Sequence, residues 1–367
     1  VECGFGVRIL NEEVVNGKHV QLDAHTGSVY LHVDDVIAVT STNSHIHADE
    51  LIEIIADTME AGGFKVPDRT LSADLEKVVG FCPNQQIARF SLPQHKLCLL
   101  YDSLLELARS ALVDVELVRC VVGVWFFGAQ LRRDVMCIPY AVFRFMEVCE
   151  NQVARLWPTV RQELISMAHC LPMMHCNVSC GISKVVLASD AMGASALDHG
   201  GFGLVATDAS NEEIAAMLCS SEHLGRAIAR LDGDLSGLRN PNKAIRPTIP
   251  FSLLPRSLFE QSRWLPVNAG RWSHSDHITL GESRGVRKLA EACSMIPVCH
   301  NKVVFALQDN MACAGSMNKG RSCAWALNRA IRRKSALAIA CCIRIIMPWV
   351  ETTLMPADEL SRIPGCF

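Results

Sequence analysis

The sequence has no long apolar run that is free of charge. Its longest apolar stretch, SALAIACCIRIIMPWV from Ser335, carries Arg344 near its middle and is shorter than the roughly 20 residues that span a bilayer. No charged-then-apolar leader precedes the first motif, so no signal peptide is evident, and the first residue is Val rather than Met. We therefore expect a soluble chain that does not associate with membranes, and we expect it to be a fragment of a longer protein.

The sequence also lacks regular cysteine spacing, although it contains 17 cysteines. A disulfide scaffold is typical of short secreted chains, so reduced and mostly buried thiols are expected here. The densest group, HCLPMMHCNVSC at residues 169–180, matches no standard zinc-ligand spacing. We interpret these His and Cys residues as part of the core or of surface packing, with a zinc site as the alternative.

Net charge is small, −3 over 367 residues, and half of the residues are hydrophobic. Two or three globular domains without internal repeats are expected from this length and composition. The small net charge conceals a basic segment, because residues 223–334 hold 18 Lys and Arg against 7 Asp and Glu, a balance of +11. Such a segment is typical of a protein with a polyanionic partner. A solvated face with chance clustering is the alternative.

The first region, residues 1–85, contains an acidic pair inside an apolar, β-prone run. SVYLHVDD and VIAVTS meet at Asp34 and Asp35, which predicts a hairpin with the two aspartates at its bend. The segment ADELIEIIADTMEAGG then has apolar residues at helical spacing and predicts a helix that stops at the Gly pair. A strand is expected at residues 77–81.

The second region, residues 86–182, is rich in Leu, Val and Ala and has periodic apolar stretches that predict helices. The clearest are SLLELARSALVDVELVRCVVGVWFFGAQLRRDV and ENQVARLWPTVRQELISMAHCL. The region has no catalytic constellation. Its aromatic run, Trp125, Phe126 and Phe127, is interpreted as core, with a base-stacking platform as the alternative.

The third region, residues 183–367, alternates strand and helix patterns in the order β-β-α-β-α-β-α. KVVLASDA predicts a strand that ends in Asp190, and the Gly-rich DHGGFGLVAT predicts its return strand. Ser210 and Glu213 have the spacing of a helix capping box. The Pro- and Arg-rich residues 236–273 are expected to form an irregular insertion or loop.

Four acidic residues fall at strand ends or helix starts of this succession. Glu282 is expected in the first turn of a helix, and Asp309 follows an apolar run. Asp358 is expected to begin a short helix near residue 358. Because ligands gather at strand ends in open α/β sheets, these three acids and Asp190 are expected to meet.

Clustered carboxylates of this kind suit two-metal phosphodiester hydrolysis. Mg²⁺ binds carboxylates and keeps open positions for water and phosphate, and a metal pair about 3.5–4 Å apart stabilises the attacking and leaving oxygens. Without a cation, the carboxylates would repel one another and their pKa values would rise. Each acid alone indicates little, whereas the set predicts Mg²⁺, or Mn²⁺, as the cofactor.

Seven runs follow one another along the chain: YLHVDD, GGFKV, KVVGF, VVLASDA, ITLGESRGV, LQDNMACAGSMNKGRS and PADELSR. In this order they resemble the reverse transcriptase and RNase H regions of retrotransposon polyproteins. The resemblance is nearest to the DIRS-like group, in which DN, KGRS and AD-x-LSR runs occur together, and it spans nearly the whole chain.

The resemblance implies an α+β and α/β fold in three parts. Residues 1–85 would be the C-terminal part of a reverse-transcriptase palm, and residues 86–182 a helical thumb or connection. Residues 183–367 would be an RNase H-like domain, with a mixed sheet flanked by helices.

The resemblance also implies catalytic, metal-binding residues at two sites. In the polymerase they would be Asp34 and Asp35, and in the RNase H domain Asp190, Glu282, Asp309 and Asp358. The polymerase family needs a third aspartate well upstream, and only 33 residues precede Asp34. We therefore expect the polymerase site to be incomplete in this chain.

The implied partners are an RNA/DNA hybrid, template-primer nucleic acid and other parts of the retroelement polyprotein, in the cytoplasm or the nucleus. Phosphates would be held, in a salt-dependent manner, by Lys319, Arg321, Arg329, Arg332 and Arg333. The alternative function is a catalytically decayed or repurposed nucleic-acid-binding protein. The intact four-acid set favours the nuclease, and the missing N-terminal part of the palm favours the alternative.

Overall fold

A computed structural model describes residues 6–9, 26–32, 35–41, 43–84, 86–150, 152–195, 198–220, 228–229 and 254–362. The chain combines α-helices with a mixed β-sheet, and it divides into two compact units, Val1–Gln86 and Ile87–Phe367. None of the helices in the described part of the chain combines the length and apolar character needed to cross a membrane.

The first unit contains a three-stranded sheet made of β1 (Gly6–Ile9), β2 (Thr26–His32) and β3 (Asp35–Val39). Strand β2 pairs in parallel with β1 and antiparallel with β3, with His32 opposite Asp35. The predicted hairpin is therefore confirmed, but Asp35 is the first residue of β3 rather than part of the bend, and Asp34 lies outside the described residues. Helix α1 (Ala48–Ala61) follows and stops before the Gly pair, as predicted, with Gly63 in the left-handed region at φ +85°.

The strand predicted at residues 77–81 is wrong. Val78 and Phe81 face each other across a tight turn, because the Val78 N–H donates to the Phe81 carbonyl at 2.8 Å and the Phe81 N–H donates back at 2.9 Å. The two residues between them, Val79 and Gly80, have φ of 47° and 82°. Positive φ ends an extended backbone, so strand β4 begins only at Cys82 and runs to Asn84.

The helical part of the second unit confirms most of the helices predicted for residues 86–182. They are α2 (Gln94–Arg109), α3 (Val115–Ala129), α4 (Tyr140–Val148) and α5 (Pro158–Cys170). Trp125 is fully buried among them, and its indole N–H donates to the Met167 carbonyl at 3.0 Å. The core interpretation is therefore confirmed for Trp125.

Short strands interrupt these helices where the periodic pattern gave no sign of them. Strand β6 (Leu112–Asp114) pairs with β7 (Val153–Arg155), and β5 (Arg89–Ser91) pairs with β8 (His175–Asn177). Asp114 ends β6 and caps α3, because its carboxylate accepts from the Glu116 N–H at 2.9 Å. This cap separates α2 from α3 where one continuous helical stretch was predicted.

The main sheet has the strand order β13-β11-β10-β14-β15. Strand β11 is antiparallel to both of its neighbours, whereas β14 lies parallel to β10 and β15 lies parallel to β14. The strands are β10 (Val185–Met192), β11 (Gly201–Asp208), β13 (Leu265–Arg271), β14 (Lys302–Leu307) and β15 (Arg344–Ile346). Strand β9 (Gly181–Ile182) pairs with β14 and so extends the main sheet. Strands β12 (Ile228–Ala229) and β16 (Trp349–Val350) pair with each other in a separate two-stranded sheet.

Strand β13 overturns part of the irregular insertion predicted for residues 236–273. Residues 236–253 lie outside the described residues, and residues 256–263 form short 3-10 turns. Residues 265–271 are an edge strand whose pairing with β11 shifts register between Leu204 and Val205. Pro266 concealed this strand in the sequence, because proline is excluded from central strands but tolerated at an edge.

Helices cover both faces of the main sheet. Val286, Leu289 and Cys293 are buried against one face, and Ile214 and Leu360 pack on the other. The helices are α6 (Asn211–Ser220), α7 (Ile278–Met295), α8 (Met311–Lys319), α9 (Trp325–Ala340) and α10 (Asp358–Arg362).

The capping box at the start of α6 is confirmed. The Ser210 N–H donates to the Glu213 carboxylate at 2.8 Å, and the Glu213 N–H donates to the Ser210 hydroxyl at 3.2 Å. The cysteine prediction holds only in part, because the cysteines whose side chains are described are free thiols but only four are buried: Cys137, Cys293, Cys299 and Cys313.

Two ion pairs, one buried and one part-buried, join the helical part of the second unit to α9. Lys334 donates to Asp134 at 2.8 Å with both side chains largely buried, and Arg332 pairs with Glu163 at 2.6 Å. These contacts explain why residues 87–182 and the sheet, which the resemblance assigns to separate domains, share the second compact unit.

Candidate metal centre

Three carboxylates from three separate elements meet at one edge of the main sheet. Asp190 lies in β10, Asp309 lies two residues after β14, and Glu282 lies on α7. One oxygen from each lies within 4.8 Å of the others. The neighbouring strands β10 and β14 are parallel, so their carboxyl ends reach the same edge.

Helix α7 places Glu282 one turn later than predicted. The helix begins at Ile278, and the His277 side chain caps it by accepting from the Thr279 N–H at 3.2 Å. The prediction that Glu282 lies in the first turn is therefore wrong, because the helix starts upstream of the ESRG run. The buried stripe that continues with Val286 and Leu289 holds this face of α7 against the sheet, and Glu282 itself is 3% exposed.

Asp190 is also displaced from the predicted strand end, because β10 continues to Met192. On the paired strand it faces Gly203. A β-carbon on Gly203 would lie 2.6 Å from the Ser361 nitrogen and 2.8 Å from the Ala357 carbonyl oxygen. Glycine at this position therefore allows α10 to pack directly on β11.

This packing brings the fourth predicted acid to the site. Asp358 begins α10 and lines the same cavity as the other three acids, which has a volume of about 290 Å³. Its carboxylate is held by Arg362, whose Nη2 lies 2.6 Å away. The structure thus brings all four acids to one cavity, with three in a tight cluster and Asp358 in an ion pair.

Burial dominates the electrostatics of the cluster. It raises the pKa of Asp190 to about 6, opposed by a hydrogen bond from Ser361 and reinforced by the charges of Asp309 and Asp358. It raises the pKa of Glu282 to about 9, with the charges of Asp190 and Asp309 adding to the effect. The pKa of Asp309 is raised by burial as well. Three ionised carboxylates are therefore costly here unless a cation joins them.

Neutral groups provide the hydrogen bonds to the three acids. Gln308 donates to Glu282 at 2.8 Å, and the hydroxyls of Ser361 and Thr352 bond Asp190 and Asp309. Across the described residues, the ion pairs of Lys and Arg go to other carboxylates, and none reaches this cluster. The charge of Arg362, which is paired with Asp358, lowers the pKa of Asp190 from the rim of the cavity. The donor set is thus oxygen-rich and anionic, with no ion pair to the three acids among the described residues, which fits a hard divalent cation.

The predicted polymerase pair cannot be placed in the same way. Asp34 lies outside the described residues, and Asp35 begins strand β3. Their role at a polymerase metal site stays a prediction.

The predicted phosphate-binding residues lie on and near α8 and α9. Lys319 ends α8, and Arg321 lies over the rings of Phe126 and Phe143 at 5.4 and 5.8 Å. Lys319, Arg321, Arg329 and Arg333 are exposed.

Arg332 differs from these four residues because protein groups engage its guanidinium. Its Nη2 pairs with Glu163 at 2.6 Å, its Nε donates to the Cys137 carbonyl at 2.9 Å, and it lies 5.5 Å from the Trp325 ring. The structure thus gives Arg332 a role in joining α9 to the helical part.

Sequence reasoning missed the residues that support the four acids. Gln308 and Ser361 stand inside recognised runs, directly before Asp309 and three residues after Asp358, yet neither is charged. Gly203 was noted only as part of a Gly-rich strand. An uncharged polar residue next to a metal-site acid was the one available signal.

The sequence was compared with known proteins. No protein-family model matches it, and no curated protein matches it significantly.

Proposed function

We propose that residues 183–367 are a Mg²⁺-dependent endonuclease that hydrolyses the RNA strand of an RNA/DNA hybrid. The observation that carries this proposal is the cluster of Asp190, Glu282 and Asp309, which lie close together. Among the described residues no Lys or Arg forms an ion pair with these three acids, and the nearest charge, that of Arg362, is paired with Asp358. The mixed sheet with helices on both faces supports the proposal, because the resemblance implies a mixed sheet flanked by helices for residues 183–367.

In this proposal the chain's own residues perform two tasks, which are to hold the metal ions and to bind the phosphates of the hybrid. Asp190, Glu282 and Asp309 hold the metal ions, and Asp358 contributes from the rim of the cavity. When bound, the metal pair would activate water and stabilise the leaving oxygen of the phosphodiester. Lys319, Arg321, Arg329 and Arg333 bind the phosphates of the hybrid beyond the site.

The rest of the chain fits the same origin by resemblance. We propose that residues 1–85 derive from the palm of an RNA-directed DNA polymerase and residues 86–182 from its thumb or connection. Template-primer nucleic acid and other parts of the polyprotein are the proposed partners.

A decayed or repurposed nucleic-acid-binding protein is the second candidate. The ion pair between Asp358 and Arg362 favours it, because a carboxylate that is already paired is a poorer metal ligand. In that case the hybrid would be bound through the basic residues without being cut.

Hybrid cleavage separates the two candidates. Purified protein is incubated with labelled RNA/DNA hybrid in Mg²⁺ or in EDTA, beside Asp309→Asn and the matched control Asp102→Asn, which changes an exposed acid on α2. The nuclease proposal expects Mg²⁺-dependent cleavage that Asp309→Asn reduces by about 100-fold or more and Asp102→Asn leaves unchanged. Binding without cleavage by the wild type would favour the second candidate.

A further inference from the structure

A buried amide lies directly behind the three carboxylates. Gln308 has no exposed surface, and its Nε2 donates to Glu282 Oε2 at 2.8 Å. Its Oε1 accepts from the Ser189 hydroxyl at 3.3 Å. Because the Ser189 hydroxyl donates to the amide oxygen, the amide nitrogen is the group that faces Glu282.

The backbone of Gln308 is held as firmly as its side chain. Its N–H donates to the Pro348 carbonyl at 3.2 Å, and its carbonyl accepts from the Val350 N–H at 3.0 Å. We call the hydrogen bonds of the Gln308 side chain to Glu282 and Ser189 the brace. Because Gln308 directly precedes Asp309 and Ser189 directly precedes Asp190, the brace is next in sequence to both of the other carboxylates.

We infer that Gln308 is a positioning residue whose amide holds the Glu282 carboxylate beside Asp190 and Asp309, in the orientation needed to bind a divalent cation. The inference rests on the proposed function. A neutral donor suits this task because a Lys or Arg in its place would form an ion pair with Glu282 and compete with the metal. Partners of this kind orient metal ligands, and their loss typically costs about 10–100-fold in metal affinity or activity.

The test removes the donor and keeps the volume. Gln308→Met is compared with the wild type by calorimetric titration with Mn²⁺, and by the Mg²⁺ concentration that gives half-maximal cleavage of the hybrid. We expect Mn²⁺ affinity to fall and half-maximal Mg²⁺ to rise by about 10–100-fold, with a smaller loss of kcat at saturating Mg²⁺ and an unchanged KM for the hybrid. Equal Mn²⁺ affinity in the two proteins would overturn the inference.

Asn318→Leu is the matched control for the loss of an inward-facing amide. Asn318 joins α8 to Met347, the residue after β15, with its Nδ2 2.8 Å from the Met347 carbonyl and its Oδ1 2.9 Å from the Met347 nitrogen. Both of these hydrogen bonds go to Met347 and neither goes to an acid of the cluster. This variant is expected to lose stability while keeping the Mn²⁺ affinity of the wild type.

Ser189→Ala keeps the inference testable if Gln308→Met does not fold. It removes only the contact that orients the amide, so Mn²⁺ affinity is expected to fall in the same direction, and an unchanged affinity would contradict the brace. A wild type that binds Mn²⁺ but cuts no hybrid would contradict the nuclease alone, because the calorimetric comparison still decides the role of Gln308.

Discussion

Asp134 is buried in the second compact unit, and so are Asp190 and Glu282 of the cluster, whose third member, Asp309, is half-buried. The charges at these two places are balanced differently. Although burial alone raises its pKa, the charges of Lys334 and Arg132 hold the pKa of Asp134 below its ordinary value. At the cluster, burial and mutual repulsion raise the pKa values instead. The chain thus neutralises one buried acid with its own cations and leaves the other three to protons or to an external cation.

The largest expected effect on stability comes from removing a cation that neutralises Asp134. Lys334→Met leaves Asp134 buried without its closest cation, and removing one partner of a buried pair typically costs about 3–5 kcal/mol in the free energy of unfolding. Urea unfolding of the variant measures this loss.

The double variant Lys334→Met with Asp134→Asn is the control, because it removes both charges and is expected to recover most of the stability. A single variant as stable as the wild type would show that the ion pair is not needed to neutralise Asp134.

The pH dependence of stability should distinguish the two sites next. The folded-state pKa values of Asp190 and Glu282, about 6 and about 9, lie above the ordinary carboxyl values, so the folded protein binds these protons more tightly than the unfolded chain. The contribution of these two acids to the free energy of unfolding is fully present below about pH 4, and it is lost as the pH rises through 6 and 9. Asp134, with its lowered pKa, contributes above its ordinary value and loses that contribution as the pH falls.

Mg²⁺ should reverse the loss at the cluster, because it binds the deprotonated carboxylates. One pKa unit corresponds to about 1.4 kcal/mol, so the effect is expected to reach a few kcal/mol. The measurement is the Tm in EDTA and in Mg²⁺ at pH 6, 7 and 8, and the increase due to Mg²⁺ should grow with pH. An increase that is constant or shrinks with pH would contradict the assignment of these acids to a metal site.

A smaller effect of opposite sign to Lys334→Met is expected from Asp190→Asn. Asp190 is ionised at pH 8 in the metal-free protein although burial opposes its charge, so a neutral amide of nearly the same shape should stabilise that protein by on the order of 1 kcal/mol. The same variant should lose the stabilisation by Mg²⁺. Urea unfolding at pH 8 checks both, and a destabilised metal-free variant would mean that Asp190 has a structural role.

The smallest effect concerns the exposed cations. Arg329→Ala should weaken hybrid binding by a few-fold and lower the slope of log affinity against log salt by about 1. Arg332→Ala should instead lower the free energy of unfolding, because Arg332 pairs with Glu163. Fluorescence anisotropy at several salt concentrations tests the first expectation, and a salt slope that Arg329→Ala leaves unchanged would remove that residue from the nucleic-acid contact.

Much of the region around the acids could be predicted from the sequence. The patterns that end near Asp190 and Asp309 indicate two buried strands, and a parallel pairing of those strands is enough to bring the two acids together. The helix that carries Glu282 and the short helix that begins at Asp358 were also predicted, with an error of one turn for Glu282.

The supporting residues could not be predicted, because their roles depend on tertiary contacts. Nothing local distinguishes Gln308 from an ordinary buried amide until β14 places it against Glu282. Arg332 and Arg333 are adjacent in the sequence, yet the position of Glu163 engages one and leaves the other exposed. The turn at Val79 and Gly80 and the edge strand that contains Pro266 went against the local propensity of their residues.

The most direct measurement of the central claim is a strand-specific cleavage assay in Mg²⁺ and in EDTA. The substrates are an RNA/DNA hybrid labelled on both strands and a DNA duplex of the same sequence. We predict that the protein cuts the RNA strand of the hybrid in Mg²⁺ only. The DNA strand of the hybrid and both strands of the DNA duplex should stay intact. An uncut hybrid, or equal cutting of both strands, would contradict this prediction.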